Sequence, residues 1–215
     1  MPELIPTRID LQRLVGEVEA LEASWKKVQP EPGAILFYGS STMVCWREDG
    51  LLEQQMAPLR ALNTGFGGST ADEALYYYPR LVYPLRPSVL VYYEGDNDLA
   101  LGYKPYEVIS LSHRLFEWAR ADLPGIQFVI IPVKESPSRR EVLGEIRALN
   151  QLWRDYAAQF GDIRLVETPA LTLDEHSNAR GAYYREDDLH LNPLGYVQLE
   201  CYVKPVLLEL TGGRP

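Results

Sequence analysis

Four short segments carry side chains able to do chemistry: Gly39-Ser40-Ser41, Gly65-Phe66-Gly67-Gly68-Ser69-Thr70, Gly95-Asp96-Asn97-Asp98 and Asp187-Asp188-Leu189-His190. Between them they supply a serine hydroxyl, a glycine amide, an asparagine amide and an Asp/His pair, the parts needed for acyl transfer to serine. A separation of three residues lets Asp187 accept the Nδ1–H of His190, which leaves Nε2 free to take a proton from a hydroxyl. Asp188 competes for that place, and only spacing favours Asp187. Neither His113, in a segment of helical period, nor His176 has such a partner.

Each of the first three segments taken alone reads at least as well as scaffolding. Ser40, Ser41 or Thr42 caps a helix, G-F-G-G makes a tight turn, and Asn97 stabilises an Asx turn between Asp96 and Asp98. Placement separates the two readings. Short apolar or β-branched runs at 34–38, 59–63, 88–94, 126–132 and 163–167 read as buried strands, and stretches of helical period lie between them. Strands alternating with helices give an α/β fold, a parallel sheet covered on both faces. The first three segments each fall just past the carboxyl end of a strand, the edge where open parallel sheets bind ligands. Ser41 then stands at a helix start, where free N–H groups favour developing negative charge.

Helix signals frame the strands. Apolar residues from Leu11 to Val28 predict an amphipathic helix over 10–28, packed on the body within the first 30 residues. Thr70 with Glu73 forms a capping box, Asn192 precedes Pro193 at a first helical position, and residues 142–160 present one apolar face. Pro79 is expected to kink or break its helix. Residues 168–186 read as an irregular loop leading to Asp187.

The chain of 215 residues fits one domain, 1–215. A formal net charge of -9 repels phosphate backbones and anionic surfaces, so nucleic acid is excluded as a partner. No apolar stretch is long enough to span a membrane. The N-terminus has no signal-peptide pattern, and the expectation is a cytoplasmic protein, although a chain shorn of a leader would read the same. Cys45 and Cys201 lack metal or redox spacing and are expected to be two buried, reduced thiols.

From about Ile35 to Tyr196, these four segments and their order resemble the SGNH, or GDSL-like, hydrolase superfamily. The resemblance implies a three-layer α/β/α, flavodoxin-like fold with a five-stranded parallel sheet in the order 2-1-3-4-5. It also implies a serine ester hydrolase that needs neither cofactor nor metal and acts on a small-molecule ester. Ser41 matches the nucleophile and Asp187 with His190 the D-x-x-H block. Ser41, Gly68 and Asn97 match the oxyanion-hole positions. G-S-S replaces the usual G-D-S. Together with Trp46 and the stretch from Lys134 to Arg139, it points to an acetylhydrolase-like branch with short acyl substrates. Trp46, Phe66, Tyr103, Lys134, Arg139 and Tyr184, with Tyr183 beside the last, are the candidate substrate-binding residues.

Three other readings compete. An α/β-hydrolase would use Ser69, since G-G-S-T-A nearly fits G-x-S-x-G, but no H-G-G-G segment lies upstream and the last glycine is Ala71. A non-catalytic module would bind acylated sugars or nucleotides on the same fold. A lysophospholipase or thioesterase would keep the machinery and change the acyl group.

Overall fold

The computed structural model describes residues 6–168 and 181–212. Five strands form one parallel sheet: β1 (Ile35–Gly39), β2 (Ala61–Asn63), β3 (Val89–Tyr93), β4 (Gln127–Ile130) and β5 (Ile163–Leu165). Their order is β2-β1-β3-β4-β5, as the resemblance implies. Eight α-helices surround the sheet among the described residues if short 3-10 turns are left aside: α1 (Val15–Val28), α2 (Ser41–Arg47), α3 (Leu51–Met56), α4 (Ala71–Leu81), α5 (Asp96–Ala100), α6 (Pro105–Asp122), α7 (Leu143–Ala157) and α8 (Pro193–Thr211).

Alternation along the strands sorts the side chains into two cores. Leu36, Tyr38, Leu90, Tyr92, Phe128 and Ile130 face α4, α6 and α7, joined by Val18 of α1. Ile35, Phe37, Val89, Val91, Tyr93 and Val129 face α2, α3 and α8. Three layers result. The α7 face read from sequence is buried at Ile146, Leu149, Trp153 and Tyr156, with Val142 and Phe160 packed at its rim.

Local signals place the helix ends. Glu73 accepts the Thr70 N–H at the start of α4, and Asn192 Oδ1 accepts the Gly195 N–H at the start of α8. Three expectations need correction. The first helix begins at Val15 rather than Asp10, because the Asp10 carboxylate and carbonyl accept the Gln12 and Arg13 N–H groups and hold a turn. Helix α4 is not broken at Pro79 but runs on to Leu81, since proline removes one donor and Val82 N–H still reaches the Tyr78 carbonyl. Cys45 is buried, but Cys201 is exposed on α8; both are free thiols. Of the segment read as a loop over 168–186, residues 169–180 lie outside the described residues, and so does His176. No helix among the described residues is long and apolar enough to cross a membrane.

Gly39 closes β1 with φ at +142°, and a Cβ there would lie 2.0 Å from the Tyr93 carbonyl oxygen. We expect Gly39→Ala to cost more than about 3 kcal/mol, because backbone strain and overlap add. Gly16→Ala in α1, where a Cβ meets nothing within 4 Å, should be neutral or stabilising by up to about 1 kcal/mol. Urea unfolding midpoints of the two variants test this. Equal midpoints would contradict it.

Candidate active site

Ser41 opens α2 directly beyond β1, with Ser40 in extended conformation as the N-cap. The turn from 184 to 191 brings Asp187 and His190 to it from the far end of the chain. An antiparallel bridge between Tyr184 and Leu191 pins this turn, as do the Arg185 N–H bond to the His190 carbonyl and the Asn192 amide on the Ala182 and Tyr184 carbonyls. Helix α8 follows, and its Tyr196 hydroxyl donates to the Thr42 carbonyl at 2.8 Å. The histidine turn and the serine helix are thus tied together one residue from Ser41.

His190 Nε2 lies 3.0 Å from Ser41 Oγ, and Nδ1 lies 2.6 Å from Asp187 Oδ2. The other Asp187 oxygen accepts the backbone N–H groups of Leu189 and His190, both at 2.9 Å. The hydrogen bond from the His190 ring, helped by those two amides, outweighs burial and holds the Asp187 carboxyl below the usual range. An ionised Asp187 only accepts, so Nδ1 carries the proton and Nε2 is left to accept from the serine hydroxyl. Asp188 points its backbone elsewhere: its φ is +56° and its carbonyl accepts the Ser138 N–H. Geometry therefore places Asp187, not Asp188, on the ring.

Gly68 follows β2 with φ at +70°, a conformation side chains resist. Its peptide is clamped from α1 and the turn before it. Glu17 accepts the Gly67 N–H with both oxygens at 2.9 Å, and Arg13 donates to the Gly68 carbonyl at 2.7 Å while pairing with Glu73 at 2.7 Å. Asn97 stands in the first turn of α5, its Nδ2 donating to the Ser69 carbonyl at 2.9 Å. Sequence reasoning missed Arg13 and Glu17, since no periodicity links the first helix to a turn some 50 residues away.

The candidate substrate residues take other places. Trp46 and Phe66 have no exposed surface, Tyr103 is 1% exposed and Tyr184 is buried. Trp46 Nε1 donates to Gln55, and the Tyr103 hydroxyl donates to Asp72 while accepting the Arg8 N–H. Apolar packing has taken these rings into the core, which corrects their reading as pocket walls. Tyr183 is half-buried against the α8 side. Lys134 is buried on Asp96 Oδ2 at 2.7 Å, and Arg139 Nε holds Asp96 Oδ1 at 2.7 Å. Ser69, the rival nucleophile, is fully buried and donates to Glu94 at 2.6 Å.

Residues 37–198 match the sequence profile of the GDSL-like Lipase/Acylhydrolase family. Among solved structures, the chain is similar to a GDSL-like lipase from Bacteroides thetaiotaomicron, with 22% identity and a TM-score of 0.74 over 94% of this chain and 98% of that one. It is also similar to a candidate acylhydrolase from Bacteroides fragilis, with 20% identity and a TM-score of 0.76 over 96% and 99% of the two chains. These likenesses concern the fold. Among curated proteins none matches the chain in sequence.

Beneath the Gly68 turn, Glu94 and Asp98 are fully buried acids that each leave one oxygen without a hydrogen-bond partner among the described residues. Burial first, and then the Asp98 charge, pushes Glu94 well above its ordinary value; burial raises Asp98 from 3.8 to about 7. The folded protein therefore binds protons that the unfolded chain releases. Their stabilisation is complete below the unfolded values and is lost as pH rises through the folded ones. We expect the melting temperature to fall between about pH 4 and 8, and the slope to shrink in Glu94→Gln/Asp98→Asn. An unchanged slope in the double variant would contradict this.

Proposed function

The chain belongs to the GDSL-like lipase/acylhydrolase family and is an ester hydrolase, and we propose that Ser41 is its nucleophile, His190 its acid and base, and Asp187 the group that holds His190. The observation that carries this reading is the hydrogen-bonded path from Asp187 through His190 to Ser41, at 2.6 and 3.0 Å. Ser41 Oγ attacks the ester carbonyl as its proton passes to Nε2. The imidazolium formed is stabilised by Asp187, which stays ionised throughout. Collapse of the tetrahedral intermediate expels the alcohol, which takes the proton from Nε2. Water, deprotonated by the same nitrogen, then cleaves the acyl-serine.

In this reading the backbone N–H groups of Ser41 and Gly68 and the Asn97 amide hold the oxyanion. Gly68 suits this role because its carbonyl is occupied by Arg13 and the neighbouring N–H by Glu17. Each such donor is worth roughly 10²- to 10³-fold in turnover. Short acyl groups, acetyl above all, are the substrates this reading favours, because G-S-S at 39–41 with Trp46 and the stretch from Lys134 to Arg139 resemble the acetylhydrolase-like branch.

Ser41→Ala should lower turnover of p-nitrophenyl acetate by at least about 10⁴-fold, whereas Ser69→Ala should stay within about an order of magnitude of the parent. Loss of activity confined to Ser69→Ala would sink the assignment. Across p-nitrophenyl esters from acetate to octanoate, kcat/KM should fall by about tenfold or more. A rising series would point to long-chain lipids or thioesters.

A further inference from the structure

Two cations converge on one buried carboxylate beside Asn97. Asp96 is 4% exposed and receives Lys134 Nζ on one oxygen and Arg139 Nε on the other, each at 2.7 Å. Lys134 also donates to the Tyr93 hydroxyl at 3.2 Å. Arg139 reaches a second acceptor as well, its Nη2 donating to Asn97 Oδ1 at 3.3 Å. The residue before it, Ser138, gives its N–H to the Asp188 carbonyl at 3.0 Å, in the turn that carries Asp187 and His190.

We propose that Arg139 is a positioning residue for ester hydrolysis: held by Asp96, it fixes which face of the Asn97 amide meets the oxyanion, and its loop joins that donor to the histidine turn. The proposal rests on the oxyanion role of Asn97. An asparagine amide can rotate to exchange its oxygen and nitrogen, and only its partners choose between the two. Arginine only donates and the Ser69 carbonyl only accepts, so the flipped amide would lose both bonds at once. A charged donor on Oδ1 also polarises the amide and strengthens its N–H as a donor. Lysine at 139 could not replace the planar fork that serves Asp96 and Asn97 together. With Lys134 counted, the trio keeps one positive charge in excess close to where negative charge develops.

A substrate contact by Arg139 makes a different forecast, which a double-mutant cycle with Asn97→Ala separates. On p-nitrophenyl acetate, Asn97→Ala should lower kcat by about 10²-fold. Arg139→Met should lower kcat by about tenfold with KM within about twofold, and in the Asn97→Ala background its effect should shrink to less than about twofold. Thermal unfolding checks that each variant is folded; where the methionine variant fails, Arg139→Gln, which keeps a donor but not the charge or the fork, should lower kcat by a smaller factor, an effect that should likewise vanish without the Asn97 amide. An Arg139 effect that persists undiminished without the Asn97 amide, or one confined to KM, overturns the proposal. An Asn97→Ala protein with unchanged kcat would instead overturn the oxyanion reading beneath it.

Discussion

Gly39 lies against the carbonyl of Tyr93 with no side chain between them, and the geometry of the rim follows from that approach. Strands β1 and β3 are neighbours in register to their last residues, Gly39 opposite Tyr93. The Ser40 N–H reaches the Tyr93 carbonyl at 3.3 Å just beyond the ladder. The chains leaving the two strands therefore start side by side, one running into Ser41 and the other into Asn97. Any Cβ at 39 would part them. The parallel sheet supplies the edge, and this one missing side chain brings the two segments together on it.

Around that rim an acidic protein has placed carboxylates where water cannot reach them. Some are matched: Glu73 by Arg13, Asp96 by Lys134 and Arg139. Burial alone would raise Asp96, yet the two cations hold it below the ordinary carboxylate range. Glu73 still rises, since burial outweighs Arg13, and Glu94 and Asp98 rise with burial unopposed by a neighbouring cation among the described residues. The matched acids act as rigid anchors for the Gly68 and Asn97 turns. A buried ion pair contributes little net stability but fixes geometry firmly, because leaving either partner alone is costly.

The strands and their parallel sheet, the capping box at Thr70, the Asn192-Pro193 start and the buried face of α7 were legible because each rests on local periodicity or a short-range signal, whereas the strand order was implied by the family resemblance alone. The meeting of Ser41 with His190 was legible only as compatible chemistry placed at one edge. Its distance, and the preference for Asp187 over Asp188, depend on the positive φ at Asp188 and on bonds between segments about 150 residues apart. The clamps were hidden for the same reason. Arg13 and Glu17 look like the polar face of a helix, and Lys134 and Arg139, read from sequence as substrate contacts, are instead partners of Asp96. Aromatic residues misled in the other direction: Trp46, Phe66 and Tyr103 stand beside the segments in sequence, but a ring offers so much apolar area that burial claims it first.

Everything proposed for this rim turns on Ser41 being the activated nucleophile. Labelling the protein with a fluorophosphonate at neutral pH, followed by mass mapping of its peptides, tests this most directly. The expected result is a single adduct on Ser41, lost in His190→Ala. An adduct on Ser69, or none while the protein still binds an acylated ligand, would contradict it.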